Sequence, residues 1–286
     1  MPCSIGNISL SCFLVGATAS VLAELIYWLG YEDFLFYFSN ILSLHFFQCI
    51  LIILIIRLIF RDFTYQVGIR ATFLGYVFGI GLMVYLFAPT SWQLFGIYGA
   101  VLAMFHYSEF LAIAWTNPSA VSINSFMLNH SVAYGVAACS SWIEFLLERH
   151  FFSVYKCPSI ISYIGLVLCM AGEILRKLAI FTAKHNFNHV VQSEKHKNHR
   201  LITYGVYKLC RHPSYVGWFY WSIGTQLILQ NPFCFVAYIL ASWMFFNGRV
   251  LIEEITLLNF FGDEYIEYQK RVGTGLPFIK GYTNYL

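Results

Sequence analysis

Residues able to do chemistry crowd into the last third of the chain. The string Arg211-His212-Pro213-Ser214-Tyr215-Val216-Gly217 joins the most basic loop to a new apolar run. Pro213 has a fixed φ and no N–H, which suits the first turn of a helix. The positive end of such a helix receives an anionic group readily. Gly217 lets another group come close to the backbone. Farther on, Arg249 and Glu253 stand at i,i+4 and so share one helix face. Their helix starts in the apolar run Phe233–Phe246. Charge in a lipid-facing helix is costly unless it serves a site, so the pair reads as functional rather than as a surface ion pair. Glu254 reads as a solvated neighbour.

Two more segments carry polar groups towards the same place. One is Asn186-Phe187-Asn188-His189-Val190-Val191-Gln192, followed by His199-Arg200-Leu201-Ile202 and then Tyr207. The other is Gly273-Thr274-Gly275-Leu276-Pro277-Phe278 near the C-terminus. His199 and His212 lack the spacing to a second histidine or a carboxylate that a zinc site needs, so no metal is expected. The cysteines include no C-x-x-C pair and fall mostly inside apolar runs, which makes them small packing residues.

Composition decides the setting. Of 286 residues, 59% are apolar and only 11% are charged, against about 25% charged in an ordinary soluble chain. So few charges cannot cover a water-exposed surface, and the chain reads as an all-α, polytopic membrane protein. No basic run points to nucleic acid. The first apolar run has no basic residues before it and no clear cleavage site, and is expected to be retained as a helix.

Apolar runs of about 20 residues mark eight spans: 8–29, 34–60, 71–87, 92–115, 126–147, 160–183, 214–229 and one from Phe233 onward. Gly75 and Gly79 form a G-x-x-x-G pair suited to close helix packing. Tyr31-Glu32-Asp33 is a short acidic turn, and Gly262–Leu286 is a polar tail. Eight spans put both termini on one side. Arg57, Arg61 and Arg70, the segment Lys184–Arg211 with six Lys or Arg against Glu194, and the tail all fall on that side. The excess of positive charge makes it the cytosol. Glu24, His45, Gln48, His106 and Glu109 interrupt the early spans, and interhelix hydrogen bonding is the expected use for them.

The central R-H-P-S-Y-V-G-W-F-Y-W block, Asn186–Gln192, Arg211–Gln226 and Thr274–Gly281 resemble the isoprenylcysteine carboxyl methyltransferase family, closely from about Gly172 to Tyr282. The extra N-terminal helices are similar to those of its animal members. The resemblance implies one membrane domain, with 1–171 mainly scaffold and 172–286 forming a cofactor pocket at the cytosolic membrane edge. It implies S-adenosyl-L-methionine as methyl donor, with S-adenosyl-L-homocysteine as product. The donor would be held by Gln192, His199, Arg200, Leu201, Ile202, Tyr207, His212, Pro213, Ser214, Tyr215 and Glu253. Arg249 and Glu253 would serve catalysis, and Arg249 and Arg176 would meet the substrate. That substrate would be the C-terminal carboxylate of a prenylated cysteine in CaaX-processed proteins such as Ras-type GTPases, presented from membrane lipid. The location would be the endoplasmic reticulum membrane.

Other readings stay open on the residues alone. A sterol reductase shares a related R-H-P-containing region, and a phospholipid N-methyltransferase is also a small membrane protein with the same donor. Chain length and the extent of the matching block weigh against the first, and the number of helices against the second. A transporter would place its polar residues at the midplane and show a repeat, whereas here they gather at one membrane face.

Overall fold

The structure, a computed structural model, describes residues 3–28, 41–128, 131–190, 192, 194–195 and 199–282. The acidic turn Tyr31–Asp33 and the start of the second span at Phe34 lie outside these. Nine α-helices and no strands occur among the described residues: α1 Cys3–Trp28, α2 Ile41–Ile59, α3 Asp62–Phe87, α4 Thr90–Thr116, α5 Val132–Phe151, α6 Ile160–Ala183, α7 Pro213–Leu229, α8 Pro232–Phe261 and α9 Asp263–Arg271. Among the described residues four stretches are long and apolar enough to cross a membrane: Ile5–Leu25 within α1, and α3, α4 and α8. The chain divides into two compact units, Met1–Val132 with Leu147–Ser159, and Ala133–Leu146 with Ile160–Leu286.

In the first unit α1, α3 and α4 share a core of Phe13, Val67, Leu74, Tyr107 and Phe110. The Phe13 and Tyr107 rings stack with centroids 3.8 Å apart. Gly75 and Gly79 bring α3 directly onto α1: a Cβ on Gly75 would lie 2.0 Å from the Phe13 carbonyl oxygen, and one on Gly79 would lie 2.0 Å from Ser20 Oγ. The G-x-x-x-G reading therefore holds. A polar clip ties α2 to this pair. His45 Nε2 lies 2.9 Å from Glu24 Oε1, its Nδ1 lies 2.5 Å from Tyr76 Oη, Tyr76 donates to Gln48 Oε1 at 2.7 Å, and Gln48 donates to the Ala19 carbonyl at 2.8 Å. On α4, His106 Nδ1 is 3.0 Å from the Phe126 carbonyl oxygen. Interhelix hydrogen bonding is thus the use of Glu24, His45 and Gln48, while His106 ties α4 to the segment that follows it, as groups inside an apolar bundle must be satisfied.

Two helix starts depart most from the hydrophobic pattern. The third helix starts at Asp62 rather than Ala71, so the loop with Arg61 is a short break between helices. The fifth span does not run from Phe126. Ile123–Phe126 is a 3-10 turn closed by Ser122 and Ser125, Met127 is left-handed, and the helix begins at Val132. Phe126 is apolar because it fills the first unit's core, stacked on Phe110 with centroids 4.1 Å apart.

In the second unit α6 and α7 run antiparallel with their backbones nearly touching. A Cβ on Gly172 would lie 2.5 Å from the Gly217 carbonyl oxygen, and a Cβ on Gly217 would lie 2.4 Å from that of Gly172. The close approach read at Gly217 is to α6. Helix α7 ends where Gln230 turns left-handed, and Pro232 opens α8. Glu144 of α5 accepts the backbone N–H groups of Phe233 and Cys234 at 2.8 and 2.7 Å, capping α8 from outside. The expected polar tail contains α9, whose Asp263 and Glu264 open the first turn and Lys270 and Arg271 close the last, as the helix dipole favours. Its buried Tyr265 and Tyr268 fasten it to the rest of the unit. Three-residue spacing of two tyrosines in a charged segment is too short a pattern to read as a packed face.

Gly217→Val is expected to destabilise the α6–α7 seam, because overpacking against rigid backbone costs about 1–3 kcal/mol. Gly99→Ala is the control, since nothing lies within 4 Å of a Cβ there. Thermal unfolding in detergent micelles checks both: the midpoint should fall by several degrees for the first and not fall for the second.

Candidate active site

The site is built where the loop before α7, the end of α8, α9 and the C-terminal segment meet. The string ahead of α7 is held in a fixed path by the tail. The Arg211 N–H donates to the Gly273 carbonyl at 2.9 Å and the His212 N–H to that of Thr274 at 3.3 Å. Trp243 Nε1 of α8 donates to the Pro277 carbonyl at 2.9 Å, fastening the tail segment to α8. His212 is the N-cap residue and Pro213 the first residue of α7, as the sequence pattern requires.

At the end of α8 two successive carboxylates point to different neighbours. Glu253, half-buried, accepts a short hydrogen bond from the Tyr215 hydroxyl at Oε2. The same hydroxyl accepts from Arg249 Nε at 3.2 Å. The i,i+4 pair read in the sequence is therefore bridged by Tyr215. Arg249 Nη2 also donates to the His189 carbonyl at 2.8 Å, which draws the Lys184–Arg211 segment over this end of α8.

Glu254 overturns its reading as a solvated neighbour, for it is fully buried. Its Oε1 accepts from Arg211 Nε at 2.8 Å, His212 Nε2 at 3.0 Å and the Tyr265 hydroxyl at 3.0 Å. Its Oε2 accepts from Gln269 Nε2 at 3.1 Å and the Tyr282 N–H at 2.7 Å. One turn of 100° about the helix axis separates adjacent residues, so Glu253 meets the site while Glu254 meets the core. Burial, and then the negative charge of Glu254, push the Tyr265 phenol far above its ordinary range, so it remains a donor. Arg211 also donates to the carbonyls of Gln269, Val272 and Lys280. Gly281 has φ +82°, and a Cβ there would fall 2.0 Å from Glu254 Oε2. None of Arg211, Glu254, Tyr265, Gln269 or Tyr282 stands out as a set in the sequence, because their proximity arises only when α9 folds back.

The remaining expected residues take the following places. His212 lies with its ring parallel to that of Tyr215, centroids 5.5 Å apart. Arg176 of α6, buried, donates through Nη1 to Ser214 Oγ at 2.6 Å and lies over the Trp218 ring at 4.9 Å. Tyr207 sits on the 3-10 turn Gly205–Lys208, and its carbonyl accepts from the Tyr268 hydroxyl at 2.6 Å. The His199 ring lies edge-on to Phe260 and Phe261 at the end of α8, with centroids 5.5 and 5.6 Å away. The Arg200 N–H donates to Asn186 Oδ1 at 2.9 Å. Gln192 donates to the Val190 carbonyl of its own segment at 3.1 Å, and Leu201 and Ile202 are half-buried on the same segment. Hydrogen bonds and ring contacts thus join His212, Tyr215, Arg249 and Glu253 directly, and carry Ser214 with Arg176. They do not join Gln192, Leu201 or Ile202 to that cluster among the described residues. Cys210, packed beside the site, has its thiol pushed up to about 11 by burial, which fits a packing role. No group of metal-ligating side chains occurs among the described residues.

Comparison with known proteins shows the family. The model of the Isoprenylcysteine carboxyl methyltransferase (ICMT) family matches residues 164–259, which include α7 and most of α8. A protein-S-isoprenylcysteine O-methyltransferase of Tribolium castaneum is 55% identical over 237 residues, 83% of this chain and 84% of that protein. The protein of the same name from Homo sapiens is 56% identical over 79% of this chain and 80% of its own length. That of Saccharomyces cerevisiae is 39% identical over 73% and 91%. A solved structure of the eukaryotic intramembrane Ras methyltransferase ICMT superposes with a TM-score of 0.92 at 50% identity, covering 98% of this chain and 99% of that one. With this identity along most of both chains, and the R-H-P-S-Y-V-G block placed at the head of α7, the protein is a member of the isoprenylcysteine carboxyl methyltransferase family.

Proposed function

We propose that this protein methylates the C-terminal α-carboxylate of a prenylated cysteine, with S-adenosyl-L-methionine as donor, at the head of α7. The single observation that carries the reading is the Arg249–Tyr215–Glu253 edge. It sets a cation and a carboxylate side by side, where an anionic acceptor and a cationic donor have to meet.

The residues suit that donor. Glu253 engages only Oε2 among the described residues, so its other oxygen is available to a cation. The positive end of α7 is suited to the donor's carboxylate, and His199 with Phe260 and Phe261 offers ring faces to an adenine. Gln192, Arg200, Leu201, Ile202, Tyr207, Pro213 and Ser214 complete the proposed lining. When bound, S-adenosylmethionine supplies an electrophilic methyl group.

The acceptor needs no general base. A C-terminal carboxylate has a reference pKa of about 3.3–3.7 and is ionised at neutral pH. The task of the chain is to hold it in line at near-attack distance. A guanidinium gripping both oxygens would quench the nucleophile. In Arg249, Nε is held by Tyr215 and Nη2 by His189, which among the described residues leaves Nη1 to position one substrate oxygen and keep the other free. Arg176, bound to Ser214, supports α7 from the α6 side and adds positive charge near the substrate. The Lys184–Arg211 segment excludes water and so strengthens these interactions.

In this reading the chain is one membrane domain crossing the bilayer eight times, both termini cytosolic, in the endoplasmic reticulum. Residues 1–171 are scaffold and 172–286 the catalytic region. The substrates are CaaX-processed proteins such as Ras-type GTPases, delivered from lipid.

Purified protein given labelled S-adenosylmethionine and N-acetyl-farnesylcysteine should yield a base-labile methyl ester, and no such product would refute the activity. Arg249→Ala should lower kcat/KM by about a hundredfold or more while calorimetry finds S-adenosylhomocysteine affinity within a few-fold of wild type. Collapse of that affinity with intact substrate binding would reverse the assigned roles. His212→Ala should weaken S-adenosylhomocysteine binding by about tenfold, the loss of one good hydrogen bond to a ligand; unchanged binding would remove His212 from the pocket.

A further inference from the structure

We propose that Glu254 is a positioning residue for the methyl donor, acting through His212. This deepens the methyltransferase reading and rests on it. A carboxylate is acceptor-only, so every group bonded to Glu254 must be donating to it. His212 therefore presents its proton at Nε2, towards Glu254 Oε1 at 3.0 Å. Nδ1 is then the ring atom left to a ligand. The partner of one imidazole nitrogen fixes the identity of the other.

The geometry leaves the bond to Glu254 to set the orientation of the His212 ring. The His212 backbone is pinned by the Thr274 carbonyl, and the flat face of its ring lies against Tyr215, 7° from parallel. What remains is rotation of the ring within its plane, and the bond to Oε1 sets that. Oε1 is itself located by Arg211 Nε and the Tyr265 hydroxyl, and Oε2 by Gln269 and the Tyr282 N–H. Tyr215 is anchored separately by Arg249 and Glu253. A disturbance at Glu254 should therefore reach the donor side of the site and leave the acceptor side in place.

Glu254→Gln offers one oxygen where two are needed. With its oxygen towards Arg211 and His212, its amide N–H₂ faces the donors Gln269 and Tyr282. Turned round, it faces His212 and Tyr265 with hydrogens. Tyr265→Phe is the milder variant, removing one donor from Oε1 and no charge.

The test is steady-state kinetics on the full chain in detergent micelles, varying S-adenosylmethionine and N-acetyl-farnesylcysteine in turn. Glu254→Gln should raise the donor KM about tenfold and leave the prenylcysteine KM within twofold. Tyr265→Phe should raise the donor KM about threefold. The double variant His212→Ala/Glu254→Gln should be no worse for the donor than His212→Ala, since the pair acts as one unit. A fall in kcat with both KM values unchanged would mean only less folded protein, and would overturn the proposal. So would donor effects that multiply in the double variant. Where Glu254→Gln does not fold, Tyr265→Phe decides, and an unchanged donor KM there overturns the proposal. No methyl ester from the wild-type chain would fail the methyltransferase reading itself, before any variant is compared.

Discussion

A carboxylate taken out of water must be surrounded by donors. At Glu254 that requirement organises everything around the head of α7. Removing one partner of a buried ion pair typically costs about 3–5 kcal/mol, because the charge left behind is uncompensated. Here the carboxylate stands on α8 and its partners come from three other pieces of chain: Arg211 and His212 before α7, Tyr265 and Gln269 on α9, and Tyr282 in the tail. The neutralising charge is Arg211, which also takes three carbonyls of α9 and the tail. Satisfying one anion therefore fixes where α9 ends and how the tail crosses α8. It also fixes how the chain enters α7.

The order of residues Arg211, His212 and Pro213 follows from this. Pro213 can begin a helix without an N–H to satisfy. His212, at the cap, turns its ring to the carboxylate, and Arg211 one residue earlier approaches the same oxygen from outside the helix. The helix dipole then points its positive end into a place already rich in donors, where an anionic group is favoured. One residue away along α8, Glu253 faces the opposite requirement. It is half-buried and bonded through Tyr215 to Arg249, and in the proposed reaction its second oxygen meets a cation. Neighbours on a helix differ by 100°, and that rotation separates the buried Glu254 from the half-buried Glu253 beside Tyr215.

Within the first unit the same rule of satisfied polar groups has a structural outcome. Glu24, His45, Tyr76 and Gln48 close on one another between α1, α2 and α3. Interhelix polar contacts of this kind are worth about 1–2 kcal/mol or less in a bilayer, so they specify which faces meet more than they stabilise. Small residues do the rest. Gly75 and Gly79 admit α1, as Gly172 and Gly217 admit each other in the second unit, and dispersion between closely packed backbones takes over where lipid removes the hydrophobic drive.

By itself the sequence determined the helical class, most helix limits and the family. Apolar content and run length dictate helices in lipid, Pro213 marks a helix start, and small-residue spacing predicts two of the close contacts. The family pattern carried the rest of that reading, and Arg249, Glu253, Tyr215 and His212 do meet. What only the tertiary structure decided is the division of labour between charges. Nothing local separates Glu253 from Glu254, or gives Arg211 more weight than Lys208. Their burial depends on α9 and Tyr282 arriving from beyond Gly262, and a short charged helix with two tyrosines carries no pattern strong enough to announce that. Phe126 marks the same limit on the apolar side, since a run of hydrophobic residues looks alike whether it faces lipid or fills a core.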